Sequence, residues 1–172
     1  MASRRACQAL AAACALVSAS AVFNLAAALN GDAPGDAFGW ALDLNLNETA
    51  LLVGAAGVGG PNGGAIGIYT RSGGAWARSS WLTPNSSTSC FGGAAFGSAL
   101  SASPAATPPV FFSGVYTSFE SEGGAVVFAD TGSGAWALTQ QLCEATPGDE
   151  LGASVAATAG GDALAVDRKS VV

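Results

Sequence analysis

An internal repeat constrains this chain more than any other feature of its sequence. A Phe-Gly-x-Ala-Leu segment at Phe38 returns at Phe96, 58 residues later, and a Leu-Gly segment follows at Leu151 after a further 55 residues. Repeats of nearly fixed length indicate one structural unit that is used several times. The recurring residues are Phe38, Gly39, Gly54, Gly64 and Trp76 in the first unit, Phe96, Gly97, Gly124 and Trp136 in the second, and Leu151 and Gly152 in the third.

Each full unit contains four short runs of strand-forming residues, separated by turns rich in Gly, Asn, Ser and Pro. The runs cover 38–44, 49–56, 64–71 and 75–82 in the first unit, 96–102, 109–116, 124–130 and 135–142 in the second, and 151–158 and 162–167 in the third. Four antiparallel strands in a period above about 40 residues are typical of β-propeller blades. The sequence therefore predicts an all-β, incomplete propeller with two complete blades and a partial third.

The first residues have the pattern of a secretory signal. Arg4 and Arg5 precede an uncharged stretch that continues to Leu29. An Ala-x-Ala site predicts cleavage after Ala21, with Ala28 as an alternative, and an uncleaved anchor or a transit peptide would fit the same residues. We expect a secreted, extracellular protein. The predicted divisions are a signal peptide (1–21), an end strand of a preceding blade with a linker (22–37), two repeats (38–95 and 96–150) and a partial repeat (151–172).

Signal cleavage would remove Cys7 and Cys14 and leave two cysteines, Cys90 and Cys143. Two cysteines in an oxidising compartment allow one pair, so a disulfide between Cys90 and Cys143 is one prediction. Its formation requires Cα atoms within about 7 Å of each other, which a sequence does not show. Two small buried side chains, or pairing with a cysteine elsewhere, are the other interpretations.

Composition excludes several classes of function. The 172 residues include no His, and 6 basic residues stand against 12 acidic ones. Without imidazole there is no Ser-His-Asp triad, Cys-His pair or histidine-ligated zinc. The scarcity of Lys and Arg argues against nucleic-acid binding. Glu120 and Glu122 could in principle act as paired carboxylates, but we interpret them as a solvated turn and expect no enzymatic activity and no cofactor.

The residues around Phe38, with 52–56 (Leu-Val-Gly-Ala-Ala) and 64–69, resemble the FG-GAP repeat of the integrin-α propeller and its relatives in secreted proteins. The resemblance covers about 30–170 and weakens from the first unit to the third. It implies non-catalytic blades on an extracellular protein, of the kind that serves adhesion or ligand binding.

The same family carries a calcium loop between its first two strands. Asp43, Asn45 and Asn47 supply oxygen ligands at the alternate spacing of such a loop. However, Glu48 replaces the glycine of the sharp turn, and Leu51 stands where the closing carboxylate belongs. A β-turn stabilised by Asn and Asp side chains explains these residues without a metal. The resemblance thus implies an incomplete calcium site.

Two sequons predict N-glycosylation at Asn47 and Asn85. A glycan on Asn47 would compete with a metal at that position. The site residues and the resemblance together predict a secreted or cell-surface, non-catalytic repeat protein that serves binding, adhesion or a structural purpose. Its ligand would be an extracellular protein or a glycan. We also expect the chain to self-associate through open blade edges and to have no membrane span after signal cleavage. The alternatives are an accessory propeller segment of a larger extracellular hydrolase and a calcium-dependent, integrin-like adhesion protein.

Overall fold

The computed structural model consists of β-strands joined by turns. It describes residues 28–44, 49–59, 63–83, 95–103, 105–116, 123–132, 134–143 and 151–167. The strands are β1 (Phe38–Leu44), β2 (Ala50–Ala55), β3 (Ala65–Ser72), β4 (Ala75–Leu82), β5 (Ala95–Ser103), β6 (Val110–Tyr116), β7 (Gly124–Gly132), β8 (Ala135–Cys143), β9 (Val155–Ala157) and β10 (Leu164–Val166). No helix occurs in these ranges, which confirms the all-β prediction. In particular, none of the residues described forms an apolar helix of bilayer-spanning length.

The strands pair in chain order into three antiparallel sheets. The first sheet contains β1 to β4, the second contains β5 to β8, and the third is a two-stranded pair of β9 and β10. The first eight strands begin and end within two residues of the predicted runs. In the third unit the strands are shorter than predicted because residues 151–154 form a turn and bends ahead of β9.

The glycine of the Phe-Gly or Leu-Gly motif has the same backbone shape in all three units. Gly39, Gly97 and Gly152 have φ values of +87°, +83° and +93°, where a side chain is strained. At the start of both β1 and β5 the register with the neighbouring strand is irregular directly after this glycine, as at a β-bulge. The repeated glycine therefore reflects a requirement of backbone conformation.

The main core lies between the first and second sheets. Its buried members are Leu52, Ile66 and Ile68 from the first sheet and Phe96, Phe111, Val115, Val126 and Phe128 from the second. The Phe111 ring stacks on Phe128 at 5.0 Å, and Phe96 meets the same ring edge-on at 5.9 Å. Aromatic pairs of this kind contribute about 0.5–1.5 kcal/mol each beyond their buried area. These ring contacts lie within the second sheet, and the rings pack with Leu52, Ile66 and Ile68 of the first sheet in one core.

A side-chain oxygen links each full sheet to the sheet that follows. The Ala102 amide donates to Oδ2 of Asp43 at 2.6 Å, and the Ala157 amide donates to Oγ of Ser101 at 3.0 Å. Asp43 and Ser101 are 58 residues apart and their two donors 55 apart, which are the intervals between the repeat starts. The same contact is thus made twice, by a carboxylate in one unit and a hydroxyl in the next.

Two glycines allow the backbones of neighbouring sheets to touch. A Cβ added to Gly54 would collide with the carbonyl oxygen of Gly97, and one added to Gly114 would collide with that of Gly152. We refer to these two close approaches as the glycine joints. A side chain at either position would force the sheets apart.

The structure changes the alignment of the second unit on the first at one place, the start of the third strand. Gly64 lies against the backbone of Phe96, and it is Gly123, not the predicted Gly124, that lies in the same way against Leu151. The strand pairing explains the difference, because Gly124 occupies the position in β7 that Ala65 occupies in β3. Strand β7 is one residue longer than β3, with an irregular register between Asp130 and Gly132, so the 60-residue interval is restored by β8.

Candidate functional site

A cleft of about 450 Å³ lies between the first and second sheets. It is lined by the start of β2, the end of β3, the ends of β5 and β7 and the starts of β6 and β8. In antiparallel sheets these strand ends meet at one end of the structure, opposite the end at which the glycine joints lie. The volume falls within the range of about 300–1,000 Å³ that is usual for small-ligand sites.

The wall of the cleft that belongs to the second sheet is aromatic and rigid. Trp136 is partly buried, and its ring lies 5.0 Å from the ring of Phe111. Phe111 is itself buried and stacks on Phe128 behind it. An indole that is supported in this way presents a flat apolar surface at little cost in conformational entropy.

Charged groups line the cleft from both sheets. Arg71 comes from β3, where its guanidinium lies 5.8 Å from the centre of the Trp76 ring. Asp130 comes from β7, and its Oδ1 accepts from the Gly132 amide at 2.8 Å while its own amide donates to the Pro109 carbonyl at 2.9 Å. Hydroxyl groups of Thr70 and Ser79 also line the cleft. The arrangement combines a flat aromatic surface with a cation, an anion and hydrogen-bonding groups.

Of the predicted calcium ligands, the structure describes Asp43 alone. Both of its carboxylate oxygens accept backbone hydrogen bonds, Oδ1 from Leu44 at 2.8 Å and Oδ2 from Ala102 at 2.6 Å. Asn45 and Asn47 lie outside the described residues. Across the ranges that are described, no three His, Cys, Asp or Glu side chains are grouped so that they could hold a metal ion. Asp43 therefore has a structural role in joining the sheets.

Cys143 forms a disulfide, and its partner lies outside the described residues, as the other three cysteines do. Pairing with Cys90 stays a prediction. The sequons at Asn47 and Asn85 also lie outside the described residues, as does the signal peptide.

The cleft itself could not be recognised from the sequence. Arg71 and Asp130 stand at the ends of predicted strands, where a polar residue is ordinary, and Trp136 stands at the start of one, where an aromatic residue commonly packs into a core. Their proximity depends on how the two sheets stack, and no local pattern encodes it. The only signal was the recurrence of Trp76 and Trp136, which marks equivalent strand starts without indicating an opening between them.

The chain matches no protein-family model, and comparison with curated proteins finds no significant relative. The chemistry of the cleft and the repeat geometry are therefore the grounds for a functional proposal.

Proposed function

We propose that this chain is an extracellular, non-catalytic binding module built from FG-GAP-like propeller blades, and that its ligand occupies the cleft between the first two sheets. The observation that carries the proposal is the repeated joint. The glycine joints hold successive sheets together at one end, and the cleft opens between the first and second sheets at the other end.

The lining favours a glycan over a protein as the ligand. A protein partner generally buries about 800 Å² on each side over a rather flat surface, whereas this site is a concave, small-ligand-sized space. The face of a sugar ring is apolar and stacks on an indole, and its hydroxyls donate to carboxylates and accept from guanidinium groups. Trp136, Asp130 and Arg71 offer these three contacts.

Binding of defined oligosaccharides to the purified mature chain tests this proposal, with tryptophan fluorescence and calorimetry as readouts. Asp130→Asn keeps an acceptor for the Gly132 amide and removes the charge, so we expect weaker sugar binding, by about tenfold, without unfolding. Arg71→Gln should act in the same direction. Arg78→Gln is the matched control, because Arg78 lies outside the cleft lining.

Two results would count against the proposal. Equal binding by the Asp130→Asn variant and the wild type would place the ligand elsewhere. Recovery of a cleaved oligosaccharide, seen by mass spectrometry after incubation, would contradict the non-catalytic assignment.

Extracellular location has its own test. We expect a mature N-terminus at Val22 in protein recovered from the medium, and retention of Met1 would contradict secretion through a cleaved signal.

A further inference from the structure

The third sheet has an open edge at the strand where the other two sheets continue. In the full sheets the second strand is paired on both sides, β2 by β1 and β3, and β6 by β5 and β7. β10 holds the same place in the third sheet, and within the described part of the chain it pairs with β9 alone. An unpaired strand edge is where a sheet accepts a further strand.

The hydrogen bonds between β9 and β10 identify the backbone groups at this edge. Ala163 and Asp167 bond to the β9 side, the first through its carbonyl at 3.0 Å and the second through its amide at 2.9 Å. Residues of an antiparallel strand alternate in the side to which they direct their hydrogen-bonding groups. Leu164 and Val166 therefore direct their amides and carbonyls away from β9, to the open edge.

The second sheet shows what such groups bind. Leu164 pairs with Ala157 as Phe111 pairs with Ala102, and the two alanines are 55 residues apart, the interval between the repeat starts. On its other side Phe111 pairs with Phe128 of β7. In the first sheet β3 covers β2 in the same way. In both full units these groups are thus covered by a third antiparallel strand.

An exposed leucine lies on the face that a strand beside β10 would cover. Gly114 contacts the third sheet at a glycine joint, and the strand pairing places Leu142 two strands away on the same face. Leu142 is 50% exposed. In the first sheet Leu82 has the same position relative to Gly54, and it packs against the core to which β7 and β8 contribute. The open edge therefore adjoins uncovered apolar surface.

We propose that the open edge of β10 binds an extended segment of a partner protein, which joins the third sheet as its third strand. The segment runs antiparallel to β10, as β7 does to β6, and its alternate apolar side chains cover Leu142. A second copy of this chain does not offer such a segment, because its strands of this type, β3 and β7, are already paired on both sides. The site lies between the second and third sheets, so it is independent of the cleft between the first and second.

A peptide with the sequence of residues 124–132 is a suitable probe, because β7 makes the equivalent pairing in the second sheet. We expect the fluorescein-labelled peptide to bind the purified chain saturably between about 1 µM and about 100 µM, measured by fluorescence anisotropy. Hydrogen exchange followed by NMR should slow at the amides of Leu164 and Val166 when the peptide is added.

The control peptide carries Val126→Pro. Val126 pairs with Ser113, which is the equivalent of Val166, so proline at this position removes an amide that would face β10. This peptide should bind at least about tenfold more weakly. Because the change is in the probe, the folding of the chain is not affected.

Two variants of the chain test the two parts of the site. Val166→Pro removes an outward amide at a place where proline is compatible with an edge strand, and it should weaken binding at least about tenfold; Val166→Thr keeps the amide and is its control. Leu142→Ser should weaken binding about fivefold through lost apolar contact. Leu42→Ser is the control for that variant, because Leu42 is 61% exposed on β1 of the first sheet. Circular dichroism should show the same strand content in all of these proteins.

Several results would overturn the proposal. One is equal binding of the two peptides, and another is binding that neither Val166→Pro nor Leu142→Ser reduces. Absence of binding up to about 100 µM peptide would also overturn it. So would slow exchange of the Leu164 and Val166 amides in the chain alone that depends on protein concentration, because a second copy would then occupy the edge.

Discussion

Replacement of Gly54 by alanine is the most direct test of how the sheets are joined. The added Cβ would lie well under 3.0 Å from the Gly97 carbonyl oxygen and 3.1 Å from its carbon. Real Cβ atoms essentially never approach other atoms so closely, and the obstacle is backbone, which cannot rotate away as a side chain would. One of the two sheets must therefore move.

The expected cost follows from this geometry. Overpacking in a close-packed interior costs about 1–3 kcal/mol, and a backbone obstacle places Gly54→Ala near the upper end. Loss of glycine from the unfolded chain returns about 0.4–1 kcal/mol. We expect a net decrease of about 2 kcal/mol in the free energy of unfolding, and a decrease in Tm of about 4–8 °C for a chain of this length.

Gly160→Ala is the matched control. A Cβ on Gly160 would lie 3.6 Å from the nearest atom, an Asp162 carboxylate oxygen, at ordinary contact distance. Its stability should stay the same or rise by up to about 1 kcal/mol. Thermal and urea denaturation of both variants measure the difference. If Gly54→Ala unfolds at the same temperature as Gly160→Ala, the backbone joint does not set the spacing of the sheets.

Three further predictions concern single contacts. Asp43→Ala should cost about 1–2 kcal/mol in urea denaturation because a backbone amide loses its acceptor, and Asp43→Asn should cost less; equal losses would show that acceptor capacity is not the cause. Reduction of the Cys143 disulfide should remove about 2–4 kcal/mol, and peptide mapping should identify Cys90 as the partner; any other partner would contradict that pairing. The hydrogen bond from Thr158 Oγ1 lowers the pKa of Asp162, so its stabilising effect is present above the pKa of the unfolded chain and is lost as pH falls through the folded pKa. In an NMR titration, Thr158→Val should raise the pKa of Asp162 towards its ordinary value, and no change would contradict this cause.

The strands were predictable because their signals are local. Alternating apolar residues between Gly-rich turns fixed eight strands to within two residues, and the recurrence of Phe38 and Phe96 gave the unit length. The register of the third strand was misplaced by one residue, because Gly123 and Gly124 are identical in type and only the pairing with β6 distinguishes them.

The joints and the cleft were not predictable because they depend on contacts between units. Asp43 was interpreted as a calcium ligand or a turn residue, since its spacing to Asn45 and Asn47 is a local pattern. Its hydrogen bond to Ala102 spans 59 residues and becomes visible only when the sheets are stacked. The same reasoning applies to Arg71 and Asp130, which come from different sheets and meet only at the cleft.

The use of backbone atoms in the glycine joints has a consequence for how this architecture can change. A contact between a glycine and a carbonyl oxygen involves no other side chain. It therefore does not depend on which residues line the cleft at the other end of the sheets. Cleft residues such as Thr70, Ser79 and Asp130 can therefore be exchanged without altering how the sheets are held together. On the proposed function, ligand preference can be altered at these positions separately from the glycine joints.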